Sequence, residues 1–434
     1  MLMIKTIDQY KINSFFRRYF AVITVFILIF MVPSVYALKG RKFDALRVKA
    51  KQGDVLAQFE LGNQYFFGTK RRTRNYTVAA LWYRRAALQG NAGAQFNLAI
   101  CYDRGLGLKK NRFEAFRWYK RAAAGGVKEA KLNLALCYAY GIAPNRQFKV
   151  STPPVYPDFN KAKKILLELD QIGFFPAIRE LGALYLTKKS AEADKLAVQL
   201  LQKAVAAGDV PAMRLLADCY QAGQGCNKDS KKMIYWLKNA VKGGDIEAVA
   251  KLGFCYEYGD GVQPDGKKAF KLFKQAADNG LAMAQTKMGE YYAAGKFVKQ
   301  DIEVAIEWFE LAASQDNSYA IFKLGVFNFE GIGMKQDRKR GTKYFLAAAR
   351  KGNSHAQFNL AVIFQAGKYI TADSGAAFYW FKRAAEQGDE RAQCRLGLCY
   401  LDGIGTKKDD LKGLDWLQQA AKNGSINARR LLGK

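Results

Sequence analysis

Apolar residues recur along this chain with a period of about 36 residues. Most periods contain an alanine that is followed four residues later by an aliphatic residue and eight residues later by an aromatic residue. Positions i, i+4 and i+8 lie on one face of an α-helix, so each pattern predicts the buried face of a helix. The alanines are Ala57, Ala94, Ala130, Ala177, Ala212, Ala248, Ala284, Ala320, Ala356, Ala392 and Ala428.

The unit that begins at Ala248 shows how each period is built. Its first helix ends near Gly259, and a second apolar stripe predicts another helix over 267–279. Gly253 lies inside the first helix, where glycine costs about 1 kcal/mol relative to alanine, which indicates a close approach of two helices. Gly280 is expected to end the second helix in the left-handed conformation.

Pairs of helices this short cannot bury their apolar faces alone, but stacked pairs share a continuous core. Residues 38–434 therefore predict an all-α solenoid of about ten helix-turn-helix repeats. Residues 42–53 look like a lone second helix over the first unit, and 428–433 like half of a first helix. Asn91, Asp245 and Asn353 are expected to cap the first helices that follow them.

All six tryptophans fall at one offset in the predicted second helices: Trp82, Trp118, Trp236, Trp308, Trp380 and Trp416. One packing position that repeats from unit to unit explains all of them. An aromatic ligand cage would not require the same offset in separate units. We therefore predict that the tryptophans are core residues.

Residues 1–37 form a separate segment. Basic residues up to Arg18 precede an apolar run over 20–32, and small residues follow up to Ala37. This order is typical of a secretory signal peptide. The run is shorter than the roughly 20 apolar residues that span a bilayer. We expect export with cleavage after Ala37, and an uncleaved N-terminal anchor is the alternative.

The repeated pattern resembles the Sel-one-like repeat, a relative of the tetratricopeptide repeat. Residues 392–424 carry it nearly complete, with Ala392, Leu396, Gly397, Tyr400, Gly403, Gly405, Trp416, Ala420, Ala421 and Gly424. The resemblance covers roughly 41–434. It implies a right-handed superhelix with a concave groove, scaffold or adaptor function, and often a bacterial envelope or the endoplasmic reticulum as location.

Three units depart from the pattern. Unit four, 177–208, lacks the Gly-x-Gly turn, and unit eight has Asn328 where tyrosine is usual. Unit three carries about 11 additional residues between its helices, in a Pro-rich stretch that begins at Ile142. Because long loops in compact repeats are often functional, this insertion is a candidate binding element.

The first candidate surface is the groove that tetratricopeptide geometry would form from the first helices. An apolar, aromatic-rich groove suits a peptide or helix of a partner. The alternative is that its phenylalanines only pack the family fold, although Phe66 and Phe329 fit that role less well. We call this set the first-helix face: Phe59, Asn63, Phe66, Phe96, Ile100, Asp103, Phe254, Glu257, Phe322, Val326, Phe329, Phe358 and Val362.

Charge suggests a second surface. The chain has a formal net charge of +31, and 38–434 keep +28, because 1–37 hold four basic residues and one acidic residue. Basic inter-helix loops would align along one edge by stacking, and this edge suits anionic lipid or another polyanion. The alternative is ordinary solvated loop charge. The basic edge comprises Lys70, Arg71, Arg72, Lys109, Lys110, Lys231, Lys232, Lys267, Lys268, Arg338, Lys339, Arg340, Lys407 and Lys408.

The sequence offers no catalytic apparatus. His355 is its only histidine and is expected to be exposed or to cap a helix, and no cysteine pair has zinc-finger spacing. We find no phosphate-binding loop, no G-x-S-x-G elbow and no nucleophile beside a base. We therefore expect no enzyme activity, metal, cofactor or small-molecule substrate.

Five of the seven cysteines occupy one repeat position, directly before the aromatic residue: Cys101, Cys137, Cys219, Cys255 and Cys399. Equivalent residues of stacked helices lie about 8–10 Å apart. That separation exceeds the roughly 7 Å within which Cα atoms allow a disulfide. We expect no disulfide ladder. Cysteine-rich relatives have been linked to β-lactam binding or hydrolysis, and this difference weakens such an activity here.

These observations lead to one hypothesis and two alternatives. The leading hypothesis is a non-enzymatic scaffold of the bacterial periplasm or cell envelope, or a secreted one, that binds a protein or peptide in its groove. The first alternative is a peripheral binder of anionic lipid or another polyanion through the basic edge, with nucleic acid disfavoured by export. The second is a β-lactam-binding or β-lactam-hydrolysing relative.

Overall fold

We describe residues 40–68, 73–142 and 155–433 of a computed structural model. The predicted signal segment, Lys70 to Arg72 and most of the Pro-rich insertion lie outside these residues. In the described chain the regular structure is helical, apart from one isolated antiparallel bridge between Ile142 and Val155. The all-α prediction is confirmed.

The described ranges contain twenty-two helices, which follow one another in first-and-second-helix order. They are α1 Gly40–Lys51, α2 Val55–Phe67, α3 Tyr76–Leu88, α4 Ala92–Arg104, α5 Arg112–Ala124, α6 Lys128–Tyr140, α7 Phe159–Gln171, α8 Pro176–Leu186, α9 Ala191–Ala206, α10 Val210–Ala222, α11 Ser230–Lys242, α12 Ile246–Tyr258, α13 Gly266–Asp278, α14 Ala282–Ala294, α15 Ile302–Ala313, α16 Ser318–Glu330, α17 Arg338–Arg350, α18 Ser354–Ala366, α19 Ser374–Ala385, α20 Glu390–Asp402, α21 Asp410–Lys422 and α22 Ile426–Leu431. The even-numbered helices are the first helices of the repeats. Helix α1 is the predicted lone second helix, and α22 is the predicted half of a first helix.

The helices form two compact units that divide between Asp245 and Ile246. The N-terminal unit comprises α1–α11, and the C-terminal unit comprises α12–α22. In both, the repeat alanines are buried, and in most repeats the aliphatic residue one turn later is buried as well, as Ala94 with Leu98 and Ala356 with Leu360 show. The continuous core between stacked pairs therefore follows from the period of the sequence.

Helix ends follow the sequence signals. The side chains of Asn91 and Asn353 accept hydrogen bonds from Ala94 N–H and Ala356 N–H, both at 2.8 Å, as predicted for N-caps. Asp245 accepts a hydrogen bond from Arg214 at 3.1 Å. Gly280 has a φ of 79°, which confirms the left-handed residue that ends α13.

The tryptophans take part in packing to different degrees. Trp118 is buried, and the other five are half-buried. Trp380 packs against two clusters of the core, and the guanidinium groups of Arg85 and Arg121 lie over the rings of Trp82 and Trp118. The core prediction therefore holds for Trp118, whereas the other five tryptophans are partly exposed.

Candidate partner-binding surfaces

Neighbouring first helices lie side by side within each unit, and side chains bridge them. In the N-terminal unit, Asn63 Oδ1 accepts hydrogen bonds from Asn97 Nδ2 at 3.1 Å and from Tyr83 Oη at 2.8 Å. In the C-terminal unit, Tyr291 Oη donates to Glu257 at 3.1 Å, and Tyr319 Oη donates to Glu290 at 3.0 Å. These bonds hold the first-helix face together in both units.

Two members of the first-helix face, Phe66 and Phe96, are only 8% and 6% exposed. Ring contacts explain their burial. Phe66 lies 5.2 Å from Tyr76 and 5.9 Å from Tyr83 between ring centroids, and Phe96 lies 6.0 Å from Tyr119. Neither ring is available to a partner without local rearrangement. The remaining members are half-buried: Phe59, Asn63, Ile100, Asp103, Phe254, Glu257, Phe322, Val326, Phe329, Phe358 and Val362.

The half-buried phenylalanines each pack against a ring of the second helix in the same repeat. Phe254 lies 4.8 Å from Phe273, Phe322 lies 5.8 Å from Phe345, and Phe358 lies 5.9 Å from Phe381. Phe329 also contacts Phe345, at 5.7 Å, together with Tyr369, at 5.4 Å. These residues therefore pack the repeats and present only part of each ring on the surface.

A charged cluster crosses the first-helix face of the C-terminal unit. The Lys287 ammonium lies 3.4 Å from a carboxylate oxygen of Glu257 and 3.4 Å from one of Glu290. Burial disfavours this ammonium, but Glu290 and Glu257 outweigh that effect and raise the pKa of Lys287. Burial is also the main cause of the raised pKa values of Tyr291 and Tyr319, and both phenols stay protonated hydrogen-bond donors.

Glu257 is the most enclosed charge of this cluster. Its side chain is 7% exposed, and its Oε2 accepts no hydrogen bond of good geometry, although the Lys287 ammonium lies at ion-pair distance. Lys296 approaches the other oxygen at 3.7 Å. The cluster is thus mostly neutralised internally.

The single histidine lies on the same face. His355 is 51% exposed, in agreement with the sequence, while Asn353 is the cap of its helix. Its Nδ1 lies 3.1 Å from Arg391 Nη2, and Arg391 donates to the buried Asp389 carboxylate at 2.8 Å. The Arg391 guanidinium covers the Phe358 ring at 4.4 Å. This arrangement contains no nucleophile and orders a polar part of the surface.

The basic edge is exposed wherever the structure describes it. Lys70, Arg71 and Arg72 lie outside the described residues. Local ion pairs join Lys232 to Asp229 at 3.7 Å, Lys268 to Asp265 at 3.0 Å and Lys408 to Asp410 at 3.4 Å. Such exposed pairs contribute little to stability. The exposed members are Lys109, Lys110, Lys231, Lys232, Lys267, Lys268, Arg338, Lys339, Arg340, Lys407 and Lys408.

Sequence reasoning missed a repeated glutamine. A glutamine follows the repeat alanine in five units, and its amide donates to the backbone carbonyl eight residues earlier at 3.1–3.4 Å. In four units its oxygen accepts from a Gln or Asn that follows the second helix, as Gln357 does from Gln387 at 2.7 Å. The available signal was the dipeptide Ala-Gln at one repeat offset. The five are Gln58, Gln95, Gln285, Gln357 and Gln393.

The cysteines are free thiols in the described part of the chain. Burial raises the pKa of Cys101, Cys137 and Cys219 to about 12 and that of Cys255 and Cys399 to about 11. They are therefore protonated at neutral pH and poor nucleophiles. Within the described ranges, no group of three or more His, Cys, Asp or Glu side chains is placed to hold a metal ion.

Among residues 40–68, 73–142 and 155–433, no helix has the length and hydropathy that a bilayer span requires.

Comparison with known proteins identifies the family. The Sel1 repeat matches this chain ten times, at 55–91, 92–127, 128–148, 177–209, 210–245, 246–281, 282–317, 318–353, 354–389 and 390–425. The chain therefore belongs to the Sel1 repeat family. Proteins of this family generally act as protein-interaction scaffolds, typically bind protein partners and are generally not enzymes.

Several solved structures resemble this chain. A protective antigen of uropathogenic Escherichia coli with an SLR fold is 27% identical, over 89% of this chain and 88% of that chain, with a TM-score of 0.41. A Sel1 repeat protein from Oxalobacter formigenes is 25% identical, over 90% and 89%, with a TM-score of 0.46. Helicobacter pylori cysteine-rich protein B is 21% identical, over 32% and 98%, with a TM-score of 0.26. No curated protein matches the sequence.

Proposed function

We propose that this Sel1 repeat protein is an exported, non-enzymatic scaffold of the cell envelope that binds a segment of a partner protein on its first-helix face. The observation that carries the proposal is the partly exposed aromatic and aliphatic surface of adjacent first helices, tied together by hydrogen bonds between helices. Such a surface suits an extended or helical peptide. Export is proposed from the composition of residues 1–37.

The test is a capture experiment with the mature chain and two matched variants. Val326→Gln with Val362→Gln makes the first-helix face more polar, and Lys339→Gln with Arg340→Gln removes two charges from the basic edge. We expect a defined envelope protein to be retained at about 0.15 M salt, where charges more than about 8 Å apart are screened. Its retention should fall for the valine variant only.

The alternative function is polyanion binding at the basic edge, and the exposure of its described members favours it. In that case anionic vesicles would be retained at low salt, lost as salt rises, and weakened by the Lys339→Gln, Arg340→Gln variant. That outcome, without a salt-resistant protein partner, would contradict the groove scaffold. Hydrolysis of a chromogenic β-lactam would instead support the enzymatic alternative.

A further inference from the structure

The described end of the insertion in unit three, residues 155–158, returns to the repeat. Helix α6 ends at Tyr140, and Ile142 N–H then donates to the Val155 carbonyl at 2.7 Å. Asp158 N–H donates to the Tyr138 carbonyl at 2.7 Å, and the Asp158 carboxylate caps α7 by accepting from Lys161 N–H at 2.9 Å. Residues 155–158 are thus pinned against the end of α6 and the start of α7.

A glycine makes this closure possible. Gly141 has a φ of 67°, and a Cβ there would lie 2.7 Å from the Val155 carbonyl oxygen and 2.8 Å from Pro157. A side chain at this position would be strained in conformation and would push the returning segment away. Gly141 therefore allows residues 155–158 to approach the repeat closely.

The returning segment forms one wall of a cleft of about 710 Å³. Helices α5 and α7 supply most of the remainder. The volume falls within the range of about 300–1,000 Å³ that small-ligand sites occupy. Phe113, Phe116, Arg117, Tyr138, Val155, Tyr156, Pro157, Asp158, Phe159, Asn160, Lys161 and Lys188 line the cleft.

Aromatic rings dominate the lining. Phe116 and Tyr138 meet edge to face at 5.6 Å, and both are half-buried. Phe159 is also half-buried and packs on Tyr185 at 5.4 Å. These rings are held by contacts within the repeats and still present apolar surface to the cleft. Such a surface takes up a bulky apolar group with little reorganisation.

The basic side chains that line the cleft differ in whether a carboxylate pairs with them. Arg117 pairs with Glu114 at 3.0 Å, and Lys161 pairs with Asp158 at 3.1 Å. Lys188 is exposed and forms no ion pair with any carboxylate of the described residues. Its ammonium lies 3.9 Å from the centroid of the Phe159 ring. The cleft therefore combines an aromatic lining with a cation, Lys188, that pairs with no carboxylate in the described part of the chain.

We propose that this cleft binds an acidic peptide segment of a partner protein. A bulky apolar side chain of the segment lies on the rings of Phe116 and Phe159, and a neighbouring carboxylate lies beside Lys188. The apolar contact accounts for affinity, and the carboxylate complements the unpaired ammonium. A peptide is the chosen occupant because Sel1 repeat proteins typically bind protein partners. The cleft is separate from the first-helix face, so the two proposals stand or fall independently.

The test uses three labelled peptides and the full chain. The probe has the sequence Glu-Glu-Phe-Glu-Glu, and its controls replace Phe by Ala or every Glu by Gln. Binding is measured by fluorescence anisotropy at about 0.1 M salt, because this salt concentration screens long-range attraction between charges. We expect saturable binding of the probe and at least about tenfold weaker binding of each control, a ratio that corresponds to about 1.4 kcal/mol.

Matched protein variants locate the binding site. Lys188→Gln and Phe116→Ala should each weaken probe binding by about fivefold or more, which corresponds to about 1 kcal/mol. Lys120→Gln removes the same charge from an exposed position of α5 outside the cleft and should change nothing. Circular dichroism melting shows whether Phe116→Ala is folded, and the exposed Lys188 provides a variant that keeps the test decisive if it is not.

Several outcomes would overturn the proposal. Equal losses of probe affinity for Lys188→Gln and Lys120→Gln would show general charge attraction. Equal affinity for all three peptides would show that no acidic segment is recognised, and so would the absence of binding up to millimolar concentration. Binding that appears only when residues 143–154 are replaced by a short Gly-Ser linker would assign the cleft to the chain itself. Binding of anionic vesicles that Lys188→Gln weakens, without binding of the peptide probe, would show that the cleft takes up lipid instead.

Discussion

Polar side chains buried between repeats carry much of the specificity of this fold at the residue scale. Arg179 is almost fully buried, yet its guanidinium donates to Asp209 at 2.6 Å and to Glu180 at 2.8 Å. The amides of the repeated glutamines find their partners in backbone carbonyls in the same way. Because an unpaired buried polar group costs about 1–3 kcal/mol, these partners make the register of stacked repeats specific.

Gln357→Ala tests this role. The substitution removes two hydrogen bonds, one to the Ala349 carbonyl and one from the Gln387 amide. That carbonyl keeps its bond from Gly352 N–H at 3.0 Å, and the amide keeps its bond to the Arg383 carbonyl at 3.2 Å. We expect the free energy of unfolding to fall by about 1–3 kcal/mol in urea denaturation, because each of the two lost hydrogen bonds contributes about 0.5–1.5 kcal/mol. Gln365→Ala, at an exposed position of the same helix, should change it by less than about 0.5 kcal/mol. Equal effects would contradict the buried-amide role.

Thiol reactivity separates Cys226 from the other cysteines. Cys226 is half-buried, whereas the other six are buried. At pH 8 we expect an aromatic disulfide reagent to modify one thiol quickly and the rest only as the protein opens. Cys226→Ser should abolish the fast phase. A fast phase that survives this substitution would show that a repeat-position thiol is accessible.

Glycines of the first helices and rings of the second helices form matched pairs at the scale of elements. A Cβ on Gly62 would lie 2.6 Å from Tyr83, one on Gly289 would lie 2.6 Å from Phe309, and one on Gly325 would lie 2.8 Å from Phe345. The ring occupies the space that the missing side chain leaves. The same reasoning applies to Gly253, where the sequence predicted a close approach and Phe273 lies 3.2 Å from the Cβ position.

Gly289→Ala should therefore destabilise the C-terminal unit although alanine is the better helix former. We expect a loss of about 1–3 kcal/mol from overpacking against Phe309. Gly375→Ala lies in the first turn of α19 and meets only the Asp373 carboxylate at 3.4 Å. It should leave stability unchanged or raise it by up to about 1 kcal/mol. Thermal melts of both variants check whether the melting temperature falls for Gly289→Ala and stays the same or rises for Gly375→Ala.

Helix existence was predictable at this scale because the apolar period repeats. The second helix predicted over 267–279 is Gly266–Asp278. Asn328, which replaces tyrosine in unit eight, is buried and donates to the Leu324 carbonyl at 2.8 Å, so the departure is absorbed within one helix. The packing of Phe66 and Phe329 was not predictable, since it depends on Tyr76 at the start of α3 and on Tyr369 in the inter-helix turn of the next repeat.

Alkaline pH should destabilise the whole molecule. Burial raises the pKa of five repeat-position thiols to about 11 or 12, above the roughly 8.5 of an unfolded cysteine. A raised folded-state pKa means that this stability is fully present below about pH 8.5 and is lost as pH rises through the folded value. We expect the urea midpoint to fall between about pH 9 and 11, and less steeply when these cysteines are replaced by alanine.

The N-terminal segment is a further prediction at the molecular scale. If residues 1–37 are a cleaved signal, N-terminal sequencing of the mature protein should begin at Leu38. An intact N-terminus together with membrane association would support the anchor. Recovery of the full chain in the cytoplasm would contradict export.

The sequence by itself determined the class of fold, the number and length of the repeats, the glycine turns and the basic character of the loops. These properties are local or periodic, so one helical turn or one repeat contains the information. Tertiary structure decided which surface residues are accessible, which buried polar groups find partners, and that residues 155–158 form one wall of a cleft. Those properties depend on side chains from different helices, whose separation only the packed repeats define.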